Sequence, residues 1–116
     1  MNDTGSNPPD WIRALALADL VADEPSAVQV GGRELAFFRV ADEVFATDNR
    51  CTHGDARLTE GFQMDHCIEC PLHQGQFDIR TGLAMCATVT EPIRTYPVRI
   101  DRGDVWVDLS RSASGG

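Results

Sequence analysis

Residues 51 to 78, "CTHGDARLTEGFQMDHCIECPLHQGQFD", hold three of the chain's four cysteines and all three of its histidines. Six side chains in this stretch have the chemistry to bind a metal or carry electrons: Cys51, His53, His66, Cys67, Cys70 and His73. Cys51 and His53 stand as C-x-H and Cys70 and His73 as C-x2-H, with the sixteen residues 54 to 69 between the two pairs. Cys67 and Cys70 also form C-x-x-C, the spacing of a thioredoxin-like redox pair or of half a zinc site. That redox pair needs a helix N-terminus to lower a thiol pKa, whereas Pro71 and a β-rich chain follow here.

The elements that must position these residues read mostly as strands. "SAVQV" and "ELAFFRV" flank Gly31-Gly32, a two-glycine turn that suits a hairpin. A second turn at Ala41-Asp42-Glu43 leads into "VFATD", "QFDI" runs into the turn "RTG", and "YPVRI" and "VWVDL" surround "DRGD" as another hairpin. "WIRALALADLVA" reads either as a helix or as a short strand from Trp11 followed by a single turn at "LADL". Many short antiparallel strands make an all-β sandwich or barrel. Asn49 to Gly75 then forms two ligand-bearing loops, with "DHCIE" as the strand joining them and "QMD" as a turn. Alternation along that strand sets Cys67 and Glu69 on one face and His66 and Ile68 on the other. Cys67 is read as a packing residue, His66 as a partly exposed loop or strand histidine, and Cys86 as a neighbour of the site.

A zinc finger groups a cysteine pair and then a histidine pair. In this chain each loop offers one thiolate and one imidazole, so two irons can divide the loops between them, sulfur to one and nitrogen to the other. "CTHGDARLTEG" followed by "CPLHQGQFDIRTG" resembles the two cluster-binding loops of Rieske proteins, most nearly the small bacterial Rieske ferredoxins of aromatic-ring-hydroxylating dioxygenase systems. "VFATDNRCTHGDARL" and "EPIRTYPVRIDRGDVWVDL" extend the likeness over residues 11 to 109, with a cluster-binding subdomain at about 49 to 78 and flexible tails at 1 to 10 and 110 to 116. The resemblance implies a Rieske-type antiparallel β-sandwich and one 2Fe–2S cluster, with Cys51 and Cys70 on the inner iron and His53 and His73 on the outer one. It implies a non-catalytic electron carrier between an NAD(P)H-dependent reductase and a terminal oxygenase. The runner-up is a small Rieske subunit of a nitrite reductase-type complex, and a rival from another class is a structural zinc module on the same four residues.

Departures from the family pattern carry further expectations. Relatives braced by a disulfide between the loops have cysteines where this chain has Ala56 and Leu72, so that bridge cannot form. High-potential relatives have Ser and Tyr donors where Gly75 and Phe77 stand. Losing donors to sulfur lowers the potential, towards about −150 mV rather than about +300 mV. Gly54 and Gly75 keep the loops low around the His53 and His73 edges, and Thr88 replaces the covering-loop proline, leaving Pro92 as the first proline of that segment.

At 116 residues the chain is one domain's worth. It has no apolar run of membrane-spanning length, and its first residues lack a signal-peptide pattern, so a cytoplasmic monomer is expected. A formal charge of −8 opposes nucleic-acid binding. It serves solubility or steers the chain towards a basic partner. Asp48, Asp55, Glu60, Asp65 and Glu69 lie near the loops as candidate contacts.

Overall fold

A computed structural model describes residues 10–51, 56–71, 75–85 and 91–112. Among these residues ten strands make three antiparallel sheets. The outer sheet has the order β1-β10-β9, from Trp11–Ala16, Asp104–Asp108 and Val98–Asp101. It carries both of the chain's tryptophans, Trp11 and Trp106. The middle sheet has the order β2-β3-β4-β8, from Ser26–Val30, Arg33–Val40, Glu43–Asp48 and Thr95–Tyr96. The third is small, β5-β6-β7, from Phe62–Met64, Cys67–Glu69 and Gln76–Asp78.

The turns explain the hairpins. Gly31 and Gly32 have φ of 55° and 82°, and Arg102 and Gly103 have 53° and 80°. Two successive positive angles match the right-handed twist of the flanking strands. Ala41 sits at φ 53° without being glycine, and Arg39 Nε donates to its carbonyl at 3.1 Å.

β3 is the wall between two cores. Leu35 and Phe37 point into one, packing with Val30, Val44, Ala46, Val105 and Val107. Ala36 and Phe38 point into the other, with Leu58, Ile68, Phe77, Ile79 and Ile93. All four of these β3 side chains are fully buried, because the strand is covered on both faces.

The all-β expectation holds, and three local readings change. Residues 11 to 19 are strand β1 and then a 3-10 turn at Leu17–Asp19, the second of the two readings. Phe62–Met64 is a strand, so Gln63 and Met64 belong to β5, and only Asp65 and His66 form the turn. "YPVRI" is not one strand: Tyr96 ends β8 in the middle sheet and Val98 begins β9 in the outer sheet. Pro97 has no N–H to give to a ladder, which suits it to that switch. Beyond Leu109, a 3-10 turn Leu109–Arg111 is capped by the Asp108 carboxylate, which accepts from the Ser110 N–H at 2.9 Å. Among the described residues no helix is long and apolar enough to cross a membrane.

Candidate functional site

The first candidate loop is the tip of a hairpin rooted on β4. Asn49, fully buried, closes its base three times over. Its N–H donates to the Glu34 carbonyl at 3.3 Å, its carbonyl accepts from Leu58 N–H at 2.7 Å, and its Oδ1 accepts from Thr59 N–H at 2.9 Å. Arg50 and Arg57 then pair across the hairpin, and the Cys51 N–H donates to the Ala56 carbonyl at 2.9 Å.

The second loop is the tip of the β6–β7 hairpin. Glu69 pairs with Gln76, whose Nε2 donates to Glu69 Oε1 at 3.0 Å, and the Cys70 N–H donates to the Gly75 carbonyl at 2.6 Å. Gly61 lets this hairpin seat: a Cβ there would lie 1.9 Å from the Glu69 carbonyl oxygen. Gly82 does the same on the other side, where a Cβ would lie 2.1 Å from the Ile93 carbonyl oxygen.

The two hairpins thus repeat one device. In each, a cysteine N–H reaches the carbonyl five residues on, and the cysteine side chain turns inward. Cys51 and Cys70 are both fully buried on the same apolar wall, with Phe38, Leu58, Ile68 and Phe77. Two buried cysteines at equivalent positions of paired hairpins are a donor set suited to a soft metal centre. The Asn49 Nδ2, buried and without a partner among the described residues, stands two residues before Cys51 as a further polar group on this side. His53 and His73 lie outside the described residues, as do Gly54, Asp55, Leu72, Cys86 and Thr88.

The other expected positions are placed as follows. Phe77 is fully buried among the site's apolar neighbours, and Gly75 is buried with its carbonyl on Cys70. Neither brings a hydroxyl to the site. Ala56, at the exit of the first loop, packs against the same core. Cys67 is half-buried on β6, in register with Met64 and Asp78. His66 sets its ring edge-on to Phe45, with centroids 5.6 Å apart, and its Nε2 lies 4.0 Å from Glu43. Ile68 alone of that strand is buried, as the alternation required. Of the acidic candidates, Glu60 faces Arg57 at 3.8 Å and Asp65 is exposed in the turn.

Two polar networks brace the hairpins. Behind the first, Tyr96 donates to Asp48 Oδ1 at 2.6 Å and accepts from Arg33 at 2.9 Å. Burial, followed by that bond to Asp48, pushes the Tyr96 hydroxyl above its ordinary pKa. Beyond the second, Asp78 takes two side-chain bonds from Arg80, at 3.1 and 2.9 Å, and one from its N–H at 2.8 Å. The Arg80 side-chain bond holds the Asp78 carboxyl below the usual carboxylate range despite its partial burial. Sequence reading missed Asn49, Gly61 and Gly82. The only available signal for Asn49 was a polar residue ending a strand beside a C-x-H, and the glycines read as ordinary turn residues.

Comparison with known proteins identifies the family. Residues 10–97 match the family model described as Rieske [2Fe-2S] domain. The ferredoxin component of the naphthalene 1,2-dioxygenase system of Pseudomonas putida is 52% identical over 100 residues, covering 86% of this chain and 96% of that protein. A ferredoxin structure from Sphingomonas yanoikuyae B1 superposes with a TM-score of 0.82 at 46% identity, covering 86% of this chain and 99% of that one. A chain from a complex of reduced oxygenase and oxidized ferredoxin in carbazole 1,9a-dioxygenase superposes at 0.79 with 35% identity, covering 87% and 94%.

Proposed function

This chain belongs to the Rieske 2Fe–2S domain family, and from that premise we propose that Cys51 and Cys70 hold the inner iron of its one cluster and His53 and His73 the outer. The carrying observation is the pair of buried cysteines that open two identically closed hairpins on one apolar wall. When bound, the cluster takes up and gives back a single electron. The chain's own residues fix everything else. The Cys51 and Cys70 N–H bonds set the loop shape, Phe38, Leu58, Ile68 and Phe77 keep water from the sulfur side, and the His53 and His73 edges serve as the exit port.

The protein is the electron-transfer component of an aromatic-ring dioxygenase system, and it performs no bond-making itself. Its partner is the oxygenase, in line with relatives that are ferredoxin components of such systems and with the ferredoxin–oxygenase complex among the structures it resembles. Those relatives favour this role over a fixed subunit of a nitrite reductase-type complex or a zinc module. Electrons arrive one at a time from an NAD(P)H-dependent reductase, to a monomer in the cytoplasm. There a reducing environment keeps thiols such as Cys51, Cys67 and Cys70 out of disulfides. The domain runs over residues 11 to 109.

The missing hydroxyls at Gly75 and Phe77 set the potential low, about −150 mV. Fewer donors to sulfur leave the added negative charge of the reduced state less stabilised. A redox titration with a midpoint clearly above zero overturns this. Electron paramagnetic resonance of the dithionite-reduced protein tests the ligands. A low average g value marks mixed histidine and cysteine ligation, His53→Cys alters the spectrum, and Cys67→Ser and Cys86→Ser leave the cluster in place. Loss of the cluster in Cys67→Ser overturns the ligand assignment.

A further inference from the structure

Four buried side-chain atoms among the described residues have no hydrogen-bond partner: Asn49 Nδ2, Gln63 Oε1, Trp106 Nε1 and Asp108 Oδ2. Only the two nitrogens are donors. Trp106 stands on the outer sheet, so the Asn49 amide is the unpaired buried donor on the cysteine side of β3 among those residues. A buried donor left unmatched is costly, and native interiors hold few of them.

The other half of the same amide fixes its direction. Asn49 Oδ1 accepts from the Thr59 N–H at 2.9 Å. Turning the amide over would set its NH2 against that N–H, donor to donor, so Nδ2 faces away from Thr59. Alternation fixes the side of the sheet. Phe45 and Thr47 stand opposite Phe38 and Ala36, which belong to the cysteine side. The same face continues past the end of β4. Asn49 lies across from Leu58 and Cys51 across from Ala56, and both of those residues pack in that core. Asn49 and Cys51 are neighbours on one face, about 6.6 Å apart along extended chain. No described group on this face accepts from Nδ2, the Cys51 sulfur included.

We propose that the Asn49 side-chain amide donates from Nδ2 to a sulfide of the 2Fe–2S cluster and so raises the potential at which the cluster takes its electron. The inference rests on the cluster assignment above, because the cluster brings the acceptor that the chain lacks. Reduction adds one negative charge to the iron–sulfur group, and an N–H held against its sulfur favours the more negative state. The amide is held firmly. Backbone bonds to Glu34 and from Leu58 fix Asn49 on both sides, and Thr59 holds its Oδ1. With no hydroxyl at Gly75 or Phe77, Asn49 supplies a side-chain donor that those positions do not.

The test follows the nitrogen itself. The chain has three asparagines, Asn2, Asn7 and Asn49. The full chain is made with asparagine isotopically labelled at the side-chain nitrogen only, and its dithionite-reduced, cluster-loaded form is read by pulsed electron paramagnetic resonance. A coupling between the label and the cluster spin is expected in wild type and should vanish in Asn49→Leu. With iron and labile sulfide content unchanged, Asn49→Leu should lower the ratio of reduced to oxidised cluster about tenfold at a fixed potential, a downward midpoint shift of about 59 mV. The Thr59 bond gives Asn49 a bracing role as well, and bracing alone yields no label coupling. A mixed-ligand spectrum without that coupling overturns the proposal, whether or not Asn49→Leu folds. So does a coupling that persists in the variant, which would belong to Asn2 or Asn7, and so does an unchanged midpoint. Wild-type protein without the low-average-g spectrum removes the cluster reading instead, and the role of Asn49 falls with it.

Discussion

Among the described residues, nine buried side chains on one side of β3 form a core of aliphatic and aromatic groups, Phe37, Leu35, Val105 and Val107 among them. On the other side, nine more include Cys51 and Cys70. The first core closes by itself: hairpins with two-residue turns bring its strands together, and apolar area holds them. The second has β3 on one side and strands of only three residues on the other, and two of its buried positions belong to sulfur. On the proposed ligand assignment the cofactor is part of the packing on that side, and stability and function separate across a single strand. Binding free energy for a group that only the folded state holds adds directly to folding on the cysteine side.

Breaking the cysteine side should have the largest effect. Cys70→Ser should leave no stoichiometric iron or labile sulfide, while circular dichroism still reports the strands of the outer and middle sheets. Its counterpart, Phe37→Ala, should cost about 3–5 kcal/mol in urea unfolding and leave the resonance spectrum of the folded fraction unaltered. Glycine substitutions sharpen the contrast at smaller scale. Gly61→Ala drives a Cβ into the Glu69 carbonyl and should cost about 3 kcal/mol or more, with reduced cluster content. Gly32→Ala meets nothing within 4 Å and should cost about 1 kcal/mol for its positive φ alone.

Tyr96→Phe probes the far side by about 1–3 kcal/mol, since it removes the hydroxyl's bond to Asp48 and the one it accepts from Arg33. The folded hydroxyl titrates above the usual 10.0. The unfolded chain then loses its proton first, and wild-type stability should fall as pH climbs past about 10. Tyr96 is the chain's single tyrosine, so phenolate absorbance reads the shift directly, and the variant should lose that alkaline dependence. The smallest effect belongs to Asp78→Asn on the cysteine side, about 1 kcal/mol near neutrality because Arg80 is half exposed. The Asp78 carboxyl lies below its usual 3.8. Its contribution is present above that value and is lost as pH falls through the lowered one, so variant and wild type should converge in acid unfolding.

Legibility in the sequence followed local physics. Gly31-Gly32 announced its hairpin because glycine alone takes positive φ angles cheaply, and Gly103 did so for the second, where Arg102 shares the left-handed turn. Cys51 and Cys70 stood out by type and spacing, and the family resemblance reached the fold and the cofactor. Phe62–Met64 was hidden because its pattern is inverted: Gln63 is buried and Phe62 and Met64 are exposed. Gln63 is tolerated inside since its Nε2 donates to the carbonyls of Arg39 and Asp65, each at 3.2 Å. Residues 11 to 16 were ambiguous because β1 is half-buried on both faces and shows no clean alternation. The roles of Asn49, Gly61 and Gly82 depend on backbone brought close from Glu34, Glu69 and Ile93, contacts between distant residues that no short window contains.

The placement of both tryptophans on the outer sheet sets an intrinsic fluorophore on one side of β3. On the proposed ligand assignment, visible absorption follows the cysteine-bearing hairpins on the other. A single denaturation run, read at both, can time the two ends of the molecule against each other without any added label.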